Sequence, residues 1–150
     1  HIKKHYFEGV RVYSLNFGIF KKGAAMTIPC LGIFVSRQSL KDTDLLRHEF
    51  GHILQARKFG TLAYWRHIVP ASLKSARLAH INQSHRHMGT WSEWSANQLS
   101  FNYFNQPASW DRINFPLEPP SGRTSAMPRL MADFPGMQEE RRKLENDRKV

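Results

Sequence analysis

Cysteine is almost missing from this sequence: Cys30 is the only one in 150 residues. A single thiol excludes an internal disulfide framework and the multi-cysteine zinc ribbons. Long hydrophobic runs are missing too. The longest, residues 24 to 35, has 12 residues and is interrupted by Pro29 and Gly32. A membrane-spanning helix needs roughly 20 apolar residues, so none is expected. The chain begins with His1 instead of Met, which reads as a fragment or a processed product with any targeting signal upstream. A soluble protein is expected, cytoplasmic or secreted as part of a larger chain.

Acidic residues are scarce where most of the apolar ones lie. Residues 1 to 114 hold 15 Lys+Arg against 6 Asp+Glu, a balance of +9, whereas residues 115 to 150 hold 7 against 6. A basic body points to polyanions, either nucleic acid or an anionic membrane surface. With 41% hydrophobic and 23% charged residues, the composition is that of a folded domain. The Pro-rich segment after Phe115 sets a division: a domain over 1–114 and a charged, flexible tail over 115–150.

Periodicity predicts an α+β fold. Val10 to Phe20 and Ala25 to Ser36 read as extended segments joined by a turn near Lys21 to Gly23, the basis of a small antiparallel sheet of two or three strands; within the second, Gly32 to Ser36 is the better strand, since Pro29 has no N–H to donate. Asp42, Thr43 and Asp44 are helix-start signals, and Leu45, Leu46, Phe50, Ile53 and Leu54 then recur at helical spacing until Gly60. That predicts a helix over about 43 to 58. Pro70 predicts the start of a second helix, and Thr90 to about Asn105 a third, stopped by Pro107. Gln138 to Lys149 reads as a short charged helix with one large apolar residue, Leu144, and nothing there to build a core.

The chemistry concentrates in His48-Glu49-Phe50-Gly51-His52. Residues four apart on a helix share a face, about 6 Å apart along the axis, so two imidazoles there can reach one Zn²⁺. Glu49 stands one step round, beside the ion, where a general base must be to take a proton from a metal-bound water. A third ligand is required. Glu93 is the only acid between Glu49 and Asp111. It has two readings: the missing ligand, or the last member of a capping box with Thr90. His85 and His87 are rival ligands on a loop. Asn97, one turn beyond Glu93, is placed to hydrogen-bond a ligand imidazole. His85, His87 and Tyr103 are candidate donors to a developing oxyanion.

His48-Glu49-x-x-His52 followed by Glu93-x-x-x-Asn97 resembles the gluzincin branch of the zincin metallopeptidases. Leu45 to His52, Gln55, Pro70-x-Ser72-Leu73 and Trp91-Ser92-Glu93-x-x-Ala96-Asn97 also resemble a group of small bacterial HExxH proteins, some at the ends of larger secreted or toxin-like chains. The resemblance spans roughly residues 30 to 105. It implies a zinc-dependent hydrolase acting on a peptide or protein substrate, with His48, His52 and Glu93 on the metal and Glu49 as base. The alternatives are a basic nucleic-acid-binding module in which the motif is incidental, or a zinc-stabilised or toxin-like domain without catalysis.

Overall fold

A computed structural model describes residues 5–119, 127–132 and 134–147. The architecture is α+β, as the periodicity predicts. Four strands, β1 (His5–Phe7), β2 (Val10–Leu15), β3 (Ala25–Ile28) and β4 (Gly32–Ser36), form one sheet in the order β1-β2-β4-β3. The sheet is mixed. Neighbours β1–β2 and β3–β4 are antiparallel, but β2 and β4 run parallel, with Val12 opposite Ile33 and Leu15 opposite Ser36. The expected antiparallel pairing of the two long segments fails because Pro29 lies in a turn that splits residues 25–36 into a hairpin. That reversal sends β4 back alongside β2, and β3 takes the outer position. Cys30 sits exposed in the same turn.

Helix α1 (Thr43–Phe59) starts where the sequence signals place it: the Asp42 carboxylate accepts from the Leu45 N–H at 3.0 Å. Gly60 ends it at φ 88°, a conformation that glycine adopts without strain. The next helical stretch begins earlier than Pro70 suggests. It runs through α2 (Thr61–Ala63), a π-helical segment Tyr64–Ile68 and α3 (Val69–Ile81), with Pro70 near the start of α3. The widened π turn sets both Tyr64 and Ile68 facing inward, and both are buried. Helix α4 (Trp91–Tyr103) follows, then α5 (Arg129–Ala132) and α6 (Pro135–Asp147).

Sheet and helices share α1. Its Leu46, Phe50 and Ile53 pack with Val12, Ile33 and Val35. On another side its Ala56 joins Tyr64, Ile68, Trp91, Trp94 and Leu99. The expectation that nothing beyond residue 114 builds a core is corrected among the described residues. Met127, Met131 and Met137 complete that second cluster, and Leu117 and Leu144 pack with Phe101 and Trp110. Methionines scattered among prolines carry no period, yet their unbranched side chains fill gaps between helices well.

Candidate metal centre

Helices α1 and α4 lie against each other in opposite directions, and their contacts step by about one helical turn. Ser100 Oγ donates to the Arg47 carbonyl at 2.6 Å, Gly51 abuts Ala96, and Gln55 Nε2 donates to the Ser92 carbonyl at 2.7 Å. Arg47, Gly51 and Gln55 are four apart, as are Ser92, Ala96 and Ser100. Small residues permit the approach: a Cβ on Gly51 would stand 2.2 Å from the Ala96 carbonyl oxygen. Neighbouring positions therefore pair with the same step, His48 with Asn97 and His52 with Glu93.

The donor atoms of His48, His52 and Glu93 all lie within 4.8 Å of one another, and all three residues are buried. Glu93 Oε2 is 3.3 Å from His48 Nε2 and 3.2 Å from His52 Nε2. Two ligands of a tetrahedral ion, with bonds of roughly 2.0–2.1 Å, stand roughly 3.3 Å apart.

Hydrogen bonds behind the rings fix which nitrogen faces inward. His48 Nδ1 lies 2.7 Å from Asn97 Oδ1, and His52 Nδ1 lies 2.8 Å from Gln55 Oε1. Both amides are oriented by their other ends: Asn97 Nδ2 donates to the Pro116 carbonyl at 2.9 Å, and Gln55 Nε2 donates to Ser92 O and to Ser95 Oγ. Those carbonyls only accept, so each amide presents oxygen to its imidazole, and each imidazole answers with Nδ1–H. The two Nε2 atoms then turn lone pairs on a carboxylate oxygen. Three acceptors converging in a buried space require a cation, either a proton or a metal ion.

The electrostatics point the same way. Burial disfavours charge on His52, but Glu93 and then Glu49 outweigh it and raise its pKa to about 9. Burial also opposes ionisation of Glu93, yet the two imidazoles hold its carboxyl well below the usual range. A divalent ion satisfies the same three atoms with no proton present. Two imidazole nitrogens and one carboxylate oxygen form a set that suits Zn²⁺.

The remaining candidates divide. The capping-box reading of Glu93 is not realised: Thr90 makes no side-chain cap and bonds to Ser75 instead, while Glu93 Oε1 accepts from Ser92 Oγ at 3.0 Å. Glu49 is buried beside the cluster, where Thr27 Oγ1 on β3 lies 2.7 Å from its Oε2. His87 Nε2 is 3.7 Å from Glu93 Oε2, with a buried Nδ1 that has no hydrogen-bond partner. Burial, helped by the two neighbouring imidazoles, keeps its pKa below the ordinary value against the pull of Glu93. His85 is turned away to Ser75 Oγ at 2.8 Å. Tyr103 is corrected as an oxyanion donor: it lies ten residues beyond Glu93 on α4, about 15 Å along the axis, and its hydroxyl donates to Glu8.

Several contributors went unrecognised in the sequence. Gln55, fully buried, is the acceptor behind His52. Tyr64 packs its ring 6.5 Å from that of His52 and donates its hydroxyl to the Thr27 carbonyl at 3.4 Å. Phe115, assigned to the tail, lies against the His48 ring at 5.5 Å, and the neighbouring Pro116 carbonyl anchors Asn97. The division after residue 114 thus cuts through the wall of the site. For Gln55 a signal existed: it sits three residues past His52, within reach on one helix face. Among the described residues, no helix is long and apolar enough to cross a membrane. Comparisons of the chain with protein-family models, with curated proteins and with solved structures find no match.

Proposed function

We propose that this chain is a zinc-dependent hydrolase of the zincin type, acting on peptide bonds. The observation that carries the reading is the convergence of three acceptor atoms, from His48, His52 and Glu93, on one buried point beside a fourth group, Glu49, held by its own hydrogen bond.

In this reading His48 and His52 bind through Nε2 and Glu93 through Oε2. Zinc, when bound there, lowers the pKa of a coordinated water to about 7 and polarises a carbonyl. The chain supplies the rest. Thr27 fixes Glu49 Oε2, which leaves Oε1 to receive the proton of the attacking water and later pass it to the leaving amine. His87, beside Glu93, is the surviving candidate to donate toward the developing oxyanion. A peptide is the favoured substrate because β3, which carries Thr27, pairs only with β4 among the described residues. Its outer edge can take an extended segment as an added strand, next to the base.

The test pairs metal analysis with turnover of a quenched-fluorescent peptide library. Wild type should carry one zinc per chain and hydrolyse some members. Glu49→Gln should keep the zinc and lose roughly 10²–10⁴-fold in kcat. His52→Ala and Glu93→Ala should lose the metal. Full zinc retention by Glu93→Ala overturns the ligand set. Zinc without turnover in wild type moves the reading to a non-catalytic zinc-stabilised domain.

A further inference from the structure

The helical stretch from Thr61 to Ile81 buries one side and leaves the other unpartnered. Tyr64, Ile68 and Ser75 point inward. On the outward side, Leu62 is 79% exposed, Leu73 61% and Ile81 69%, and Trp65 at the flank is 44% exposed. Within α3, Leu73, Arg77 and Ile81 follow at intervals of four, with Lys74 beside them, so cations and large aliphatic side chains share one face. Arg66 continues the face toward Leu62.

The charge on this face is uncompensated along the chain. Between Glu49 and Glu93 the sequence holds Arg57, Lys58, Arg66, Lys74, Arg77 and Arg86 and no acid at all. Exposed Leu and Ile gain nothing from a phosphate backbone, which is met by cations alone. Cations interleaved with Leu, Ile and Trp match a layer whose headgroups are anionic and whose acyl boundary is apolar. Trp belongs at such a boundary, its ring apolar and its N–H polar.

We propose that the outward face of residues 61–81 docks the protein on an anionic lipid surface, with Arg66, Lys74 and Arg77 at the headgroups and Leu62, Leu73 and Ile81 entering the acyl boundary. The inference does not depend on the hydrolase reading, since the metal ligands lie on α1 and α4.

The experiment is vesicle co-sedimentation of the whole chain. Phosphatidylcholine vesicles are compared with vesicles in which about a third of the lipid is phosphatidylserine. Binding should be confined to the anionic vesicles and should fall as NaCl rises from about 0.1 M to about 1 M. Replacing Arg66, Lys74 and Arg77 by Gln together should weaken it roughly 100-fold, at about 1 kcal/mol per cation. Replacing Leu62, Leu73 and Ile81 by Ser should weaken it by roughly tenfold or more. The tryptophan emission should shift to the blue on anionic vesicles, and Trp65→Phe should abolish that shift. Leu73→Ser alone serves if the triple variant does not fold. Equal binding to both vesicle types overturns the proposal, as does binding indifferent to the cations. Binding of an oligonucleotide that needs the cations but not the leucines, with none to vesicles, reassigns the face to nucleic acid.

Discussion

Each imidazole of the centre is held by a side-chain amide that is itself held by backbone, and this chain of hydrogen bonds decides the tautomer. Gln55 is the more exacting case, because it also ties α1 to the first turn of α4 through Ser92 and Ser95. Gln55→Ala should lower zinc affinity by about 10–100-fold, as loss of such outer partners typically does. It should also cost roughly 1–3 kcal/mol for each buried polar group left unmatched. Titration with a competing chelator measures the first effect and denaturant unfolding the second. Gln55→Glu keeps an acceptor for His52 Nδ1–H and should hold the metal better than Ala, a ranking that a merely space-filling role would not produce.

At the scale of elements, the contact of α1 with α4 is the joint on which the site depends. Gly51→Ala places a methyl group against the Ala96 carbonyl, and backbone cannot yield as a flexible side chain can. The helices must separate, at a cost of about 1–3 kcal/mol, and Glu93 must retreat from the two rings. Thermal unfolding and zinc content should fall together in this variant. Much of this was legible beforehand. The 43–58 helix, the start of α4 and the four-residue steps of His48/His52 and Glu93/Asn97 follow from local pattern, since caps and periodicity act within a few residues. The parallel β2–β4 pairing and the π turn at Tyr64–Ile68 do not, because they are set by partners distant in sequence.

The whole molecule closes around the centre through residues that local patterning leaves unstructured. Met137 is fully buried in the cluster that holds Trp91 and Trp94 beneath the first turn of α4. Met137→Ala should therefore destabilise the entire domain by about 2–5 kcal/mol, and chemical denaturation should show it as a lower midpoint with an unchanged slope. In the proposed reading metal couples to folding at the same scale, because His48, His52 and Glu93 come from two helices and meet only in the native state. Zinc at a hundred times its Kd should add about 2.7 kcal/mol and raise Tm by roughly 5–11 °C. Calorimetry of the metal-free chain with and without added zinc measures this, and His52→Ala should abolish the rise.

The sequence by itself determined the candidate ligand types, their helical spacing, the carboxylate one step along, and the basic, acid-poor stretch from 50 to 92, because these are properties of neighbours on one chain. Only the tertiary structure decided that Glu93 turns from its cap toward the histidines and that Gln55 stands behind His52 as Asn97 does behind His48. It alone decided that Tyr103 stands apart and that the methionines after residue 126 belong to the core. The physical reason is that each of these is a contact between segments distant in sequence or a choice between competing hydrogen bonds, and packing against a distant partner settles which one forms.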